Sequence, residues 1–181
     1  MVTQVGTLDL VPASSRPDLL ADPVRAALAT WPRADEVSVA EIDPHLADTA
    51  ALVEAHQVPI EWSANCVVVA GRRGGVEHVA ACVVLATTRA DVNGLVRRLL
   101  DVRKASFLAM DLAVEWTGME YGGITPIGLP DGWSVLIDAA VNATPYVVIG
   151  SGVRRSKLAR PGGALADLPG AQVVDGLGQF V

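Results

Sequence analysis

The apolar positions of this chain fall into short groups whose spacing changes repeatedly between helical and extended. Val24, Ala27, Leu28 and Trp31 share one helical face behind Asp22-Pro23, a pair suited to helix initiation with Asp22 as N-cap, and Pro32 ends the run. Residues 37–42 alternate, which predicts a strand with one buried face. Asp48-Thr49 opens a second helix reaching about His56, with Ala51, Leu52 and Ala55 available for packing and Gln57-Val58-Pro59 closing it. Cys66 to Ala70 is continuously apolar and predicts a buried strand. Its partner is His78 to Leu85, across a hairpin loop read as Gly71-Arg72-Arg73-Gly74-Gly75.

Downstream, Val92, Leu95, Val96, Leu99 and Leu100 form an apolar stripe that predicts one helix from Ala90 to Lys104. Its other face, with Arg97, Arg98, Asp101 and Lys104, reads as solvated. A short helix is expected at 109–116, strands at 134–138 and 145–149, and a turn or strand edge at 154–158. A short helix at 164–168 and a strand at 171–174 complete the pattern. Strands and helices interleave without regular βαβ alternation, so the predicted class is a single-domain α+β fold with a mixed sheet.

Composition narrows this picture. A chain of 181 residues fits one domain, expected at 21–181 behind a lead-in of residues 1–20, in which Pro12, Ser14, Ser15 and Pro17 break any period. Whether that lead-in is ordered is open at this level. Hydrophobic residues make up 51% of the chain and aromatics 4%, so the core must be built from small branched side chains. No apolar run has the length of a membrane span and the N-terminus lacks a signal pattern, from which a cytoplasmic protein is expected. Cys66 and Cys82 sit inside Val/Ala runs and read as buried free thiols; His45, His56 and His78 stand apart, so no metal site is expected. Gly71 to Gly75 lacks the lysine-serine/threonine pair of a phosphate-binding P-loop. A net charge of −6 argues against a protein that coats nucleic acid, while leaving room for one local basic patch.

The least ordinary stretch is Thr117-Gly118-Met119-Glu120-Tyr121-Gly122-Gly123-Ile124-Thr125-Pro126-Ile127-Gly128. Its glycines permit positive φ and close backbone approach, and Pro126 biases Thr125 away from helix. Read from residues alone, it is either a hairpin connection or a loop that aims backbone groups at a ligand. Its order, Thr-Gly, a spacer, then Gly-Gly-x-Thr-Pro-x-Gly, resembles the signature loop of the YbaK family, the editing domains associated with prolyl-tRNA synthetase and their free-standing relatives. Leu136-Ile137-Asp138 and Tyr146-Val147-Val148-Ile149-Gly150-Ser151-Gly152 resemble later strands of that family, and the likeness spans about residues 35 to 177. The resemblance implies a mostly antiparallel, partly barrel-like sheet surrounded by helices. It also implies an aminoacyl-tRNA deacylase acting in trans on a small amino acid, with no metal or organic cofactor. The implied partners are the tRNA acceptor end and an aminoacyl-tRNA synthetase, with the protein a monomer or weak homodimer.

The same resemblance assigns the aminoacyl group to the backbone of Gly122, Gly123, Ile124, Thr125 and Pro126, with Gly122 and Gly123, beside Asn65, as the catalytic positions whose donors face the ester carbonyl. The chain departs from the family at Asn65, where many members carry a lysine. Asparagine offers a donor and an acceptor but no charge. Asn65 is therefore a neutral ligand of the substrate, the mark of a member that binds without hydrolysing, or a cap for local backbone. Arg72 lies about 20 Å along the strand, too far to substitute, and the sequence does not place Lys104. Asp138 is either a turn cap or a site acid, and Gly150 and Gly152 are either bulge glycines or positions of close ligand approach. Arg154, Arg155 and Lys157, with Arg160 nearby, are the densest positive cluster and suit phosphates of the acceptor end, or else form a solvated loop. Trp62 is a core or rim residue, or a stacking platform for the terminal adenine. Two functions follow: the deacylase, favoured by the intact glycine loop, and a non-catalytic binding module for aminoacyl-tRNA or a small amino-acid-like ligand, favoured by Asn65.

Overall fold

Strands begin almost at once in the computed structural model, which describes residues 3–180. β1 (Gln4–Val5) and β2 (Leu8–Asp9) pair with each other, and β3 (Val11–Pro12) joins a larger sheet. Val5, Leu8 and Leu10 are buried with Leu52, Val58 and Val148, while Leu19 and Leu20 enter the main core. Residues 3–20 are thus anchored to the core at Val5, Leu8, Leu10, Ala13, Leu19 and Leu20. α1 (Asp22–Thr30) has Ala21, not Asp22, as its N-cap, because the Ala21 N–H donates to the Ser151 carbonyl and Asp22-Pro23 open the first turn. Val24 is fully buried, with Ala27, Leu28 and Trp31 packed on the same core.

β4 (Ser38–Glu41) corrects the expectation of one buried face. Ser38, Val39 and Ala40 are all buried, since Val39 faces the main core and Ala40 the N-terminal cluster. α2 (Thr49–His56) is capped by Asp48, whose carboxylate accepts from the Ala50 N–H. It buries Leu52 but leaves Ala55 exposed. β5 (Ala64–Arg73) and β6 (Val76–Leu85) form the predicted hairpin, longer than expected at its tip. Gly71, Arg72 and Arg73 are strand, and the turn is Gly74-Gly75 alone, both at positive φ as a two-residue hairpin turn requires.

After β7 (Thr88–Ala90) the expected fifteen-residue helix is not formed. The Asp91 carboxylate accepts from the Gly94 and Leu95 N–H groups and starts a π-helical turn at Val92–Val96, followed only by α3 (Arg97–Leu99). Gly94 weakens the helix interior, and Asp101 at φ 54 reverses the chain. Val92, Val96 and Leu100 are buried as the stripe predicts, but Leu99 is exposed. Beyond the turn Val102 and Ala105 re-enter the core, so β8 (Ala105–Phe107) can pair with β5.

α4 (Met110–Thr117) ends at Gly118 in the left-handed region and delivers the glycine loop. β9 (Ser134–Asp138), α5 (Ala139–Ala143) and β10 (Val147–Gly150) follow. β11 (Ser156–Arg160) is a correction: expected as a turn or edge, it is an interior strand buried at every position. A 3₁₀ turn at Gly162–Asp167 replaces the last short helix, before β12 (Ala171–Val174) and β13 (Gly178–Phe180), which pairs with β7.

These strands build a five-stranded sheet, ordered β12-β9-β6-β5-β8, and an antiparallel four-stranded sheet, ordered β10-β11-β4-β3. In the first, β9 runs parallel to β6 and β12, and the other pairings are antiparallel. Val83, Val135 and Ile137 of one sheet pack against Val39, Ile149 and Leu158 of the other. A bridge between Ser63 and Val148 joins the sheets. No closed barrel forms among the described residues, so the barrel-like part of the expectation reduces to two sheets meeting at one corner. That corner sets the start of β5 beside β10 and β11. Replacing Leu8 by Ala is expected to lower stability by about 2–4 kcal/mol, read as a shifted denaturant midpoint, because the first strands bury it fully.

Candidate functional site

A cavity of about 380 Å³ opens at this corner, within the range of small-molecule sites. Ala47, Asp48 and Thr49 reach it from the start of α2, and Asn65, Cys66 and Val67 from the start of β5. Tyr121, Gly122 and Ile124 come from the glycine loop, Val148 to Gly150 from β10, and Arg154 and Lys157 from the chain entering β11.

The loop is held by backbone contact. Glu120 N–H donates to the Gly152 carbonyl at 2.8 Å, and the Gly123 carbonyl accepts from Gly152 N–H at 2.7 Å. A Cβ on Gly150 would lie 2.3 Å from the Gly123 oxygen, and one on Gly123 would lie 2.8 Å from the backbone of Val153. Both glycines are therefore required by the approach of one chain segment to another. Arg154 fastens the assembly: its N–H donates to the Glu120 carboxylate at 2.6 Å, and its guanidinium donates to the carbonyls of Tyr121 at 3.1 Å and Pro44 at 3.0 Å.

Within the loop, the structure separates residues that the family likeness groups together. Gly122 and Ile124 line the cavity. The Gly123 N–H is directed instead at the Glu120 carbonyl, 2.9 Å away. Thr125 is fully buried, and Pro126 borders a second cavity, of about 600 Å³, with Trp31 and Trp133. Gly152 packs against Ala21 and Val24.

Two polar side chains define the chemistry of the first cavity. Half-buried Asn65 accepts through Oδ1 from the Thr49 hydroxyl at 2.8 Å, which leaves its amide N–H groups as donors. Lys157 stands on β11 opposite Gly150 and Ala40 and is buried, with Nζ donating to the Ala47 carbonyl at 2.7 Å. Burial pushes its pKa down to about 8; Asp48 opposes that shift and Arg154 adds to it. The cavity thus contains an ammonium, supplied by a strand distant in sequence from Asn65. Lys104 is exposed near the far end of β5.

The other sequence candidates lie elsewhere. Asp138 caps α5 by accepting from Ala140 N–H at 2.8 Å, and it also accepts from Gly178 N–H at 2.7 Å. Arg155 donates to the Asp18 carbonyl. Arg160 is buried with its guanidinium 4.0 Å from the centre of the Trp31 ring. Trp62 packs on the N-terminal cluster. Cys82 is a buried free thiol, whereas Cys66, on the adjacent strand, is a partly buried one at the cavity wall; burial raises the pKa of both. Sequence reading missed Tyr121, which is 60% exposed at the cavity, and the Ala47-Asp48-Thr49 turn. An aromatic beside paired glycines was the available signal for Tyr121; nothing local marked the turn.

Fold and cavity define a small α+β domain with a polar, cation-bearing pocket at the junction of two sheets. The family model of the aminoacyl-tRNA editing domain matches residues 43–168, well over half of the chain, and the chain belongs to that family. Among solved structures, a candidate trans-editing enzyme for prolyl-tRNA synthetase superposes with a TM-score of 0.72 at 23% identity, covering 86% of this chain and 94% of that one. The hypothetical protein APE2540 superposes with a TM-score of 0.75 at 18% identity, covering 87% of this chain and all of the other. At these identities the superpositions establish the fold. No functionally curated protein matches the chain in sequence.

The depressed Lys157 pKa has a consequence for stability. Between about pH 8 and the ordinary lysine value of 10.5, the unfolded chain binds more protons at this residue than the native one. Native stability therefore rises with pH across that window. Unfolding midpoints measured from pH 7.5 to 10 should show this rise, and Lys157→Met should remove it.

Proposed function

We infer that this chain is a trans-acting aminoacyl-tRNA deacylase that hydrolyses the ester of a mischarged tRNA carrying a small amino acid. The observation that carries the reading is the convergence of Lys157 and Asn65 on a cavity bordered by the glycine loop. In ester hydrolysis water adds to the carbonyl carbon and negative charge develops on the carbonyl oxygen. The acyl carbon–oxygen bond then breaks, releasing the amino acid and a free ribose hydroxyl. A buried ammonium with N–H groups beyond the one given to Ala47 suits that developing charge, and the Asn65 amide offers a further donor. Positioning of water, aided by the neighbouring hydroxyl of the ribose, supplies the rest.

In this reading Lys157 takes the electrostatic role that many family members give to a lysine at the position of Asn65. A space of about 380 Å³ shared by the aminoacyl group and the terminal ribose favours a small side chain. A substrate of this kind suits a protein of the cytoplasm, where charged tRNA circulates, working free or beside a synthetase. No helix among the described residues is long and apolar enough to cross a membrane.

Purified protein incubated with correctly and incorrectly charged tRNAs should rapidly discharge one or two species bearing small amino acids. Lys157→Met should lower kcat by about a hundred- to a thousandfold. With the uncatalysed rate subtracted, the native rate should fall as pH rises through about 8, where Lys157 loses its proton. A panel left intact by the native protein but hydrolysed by Asn65→Lys would replace this reading with a binding module.

A further inference from the structure

The basic residues first suggested for tRNA contact are engaged within the protein, since Arg154, Arg155 and Lys157 all donate to main-chain carbonyls. A different part of the surface gathers positive charge. At the tip of the β5–β6 hairpin, Arg72, Arg73, Arg97 and Arg103 line a groove of about 700 Å³ in which Asp101 is the acidic residue. Arg73 pairs with Asp101 and donates to its carbonyl, which ties the hairpin to the turn after α3. Arg72 makes one long pair, 3.5 Å, with Glu77. Among the described residues Arg97 and Arg103 make no ion pair, although Arg97 donates through Nε to the Asn93 carbonyl at 2.8 Å. Such a concentration of guanidinium groups on a chain of net charge −6 is a local field suited to a polyanion.

We propose that this groove holds the backbone phosphates of the tRNA acceptor stem while the charged 3′ end occupies the cavity at the other end of β5. The proposal rests on the deacylase reading for the identity of the RNA. The β5–β6 register is unbroken from Ala64 to Arg73, so Asn65 and Arg73 stand at opposite ends of one strand, eight residues apart; Val69 between them is buried beneath Val96 and Leu100, so a path from one end to the other passes outside that cluster. At 3.3 Å per residue the separation is about 26 Å. A stacked strand advancing about 3.4 Å per nucleotide covers that distance in roughly eight nucleotides. That count runs past the three terminal nucleotides and into the paired stem. The edge strand β8 lies along this route, with Phe107 opposite Val69 midway and 61% exposed. Contacts in the groove are with phosphates, so they secure the stem without reading its sequence.

The test uses the full-length protein, an uncharged acceptor-stem RNA hairpin ending in CCA, and an aminoacylated CCA trinucleotide too short to reach the groove. The hairpin's affinity is measured across a salt series for the native protein, for Arg72→Gln/Arg97→Gln/Arg103→Gln, and for the matching triple lysine variant. The glutamine variant should bind about tenfold or more weakly, with the log–log salt slope shallower by about one unit per arginine removed. The lysine variant should retain most binding, because a phosphate contact of this kind needs charge rather than a fork. Trinucleotide hydrolysis should be the same for all three proteins. Matching unfolding midpoints show that the variants are folded. Equal hairpin binding by native and glutamine proteins, or none by either, overturns the groove assignment, and trinucleotide hydrolysis would then leave the deacylase reading standing. Groove-dependent hairpin binding without hydrolysis of any charged substrate would instead retain the surface and remove the deacylase.

Discussion

Two backbone segments meet with nothing between them, and the site depends on that contact. Gly123 and Gly150 lack the Cβ atoms that would hold the loop and β10 apart. The two hydrogen bonds exchanged with Gly152 are each worth on the order of 1 kcal/mol net, so they fix geometry more than they supply stability. Steric permission is the larger requirement. With it, Ile124 reaches the cavity wall, the Glu120 carboxylate reaches Arg154, and the Arg154 guanidinium spans from Tyr121 to Pro44. A loop rich in glycine is usually associated with motion. Here its glycines allow close packing on the chain behind it.

The cation in the cavity and the amide that shares it come from distant parts of the chain. Asn65 and Lys157 belong to different sheets, and they face one space because the sheets join at the Ser63–Val148 bridge. An ammonium on a flexible four-carbon stem needs only to end near the right point, so its root is free to move in a way that a planar guanidinium's is not. Burial makes this placement costly for the charged form, and the Ala47 carbonyl and nearby Asp48 offset part of the cost. Thr49, by donating to Asn65, fixes which end of the amide faces the open space.

Much of this architecture is legible in the residues. The Asp22-Pro23 helix, the β5–β6 hairpin, the strands at 134–138 and 171–174 and the special character of the glycine loop follow from local chemistry that tertiary contacts did not override. Other elements depend on partners distant in the chain. β1, β2 and β3 have two residues each, too short to show a period. β11 carries Lys157 and Arg160, residue types that normally argue for an edge, and only the neighbours on both sides make it interior. The apolar stripe at 92–100 was real, but Asp91 and Gly94 favour a π-helical turn and Asp101 reverses the chain. In the candidate site, residue type pointed to a loop that borders the cavity. Which of its backbone groups face the cavity, and which serve packing, was set by segments about 30 residues away. Asp138 illustrates the same limit: a carboxylate after a strand reads alike as an acid or as a cap.

The cavity wall is drawn from four stretches of chain, between Ala47 and Leu52, Ser63 and Val67, Tyr121 and Ile124, and Val148 and Lys157. Its side chains are therefore scattered over more than half of the chain, and the last of them, Lys157, enters on a strand flanked by two others. During synthesis, which proceeds from the N-terminus, no earlier length of chain contains the whole pocket. A nascent or partly unfolded molecule thus holds Asn65 without its cation and the glycine loop without its backing. The pocket and the completed fold appear together, so occupancy of the one reports the other.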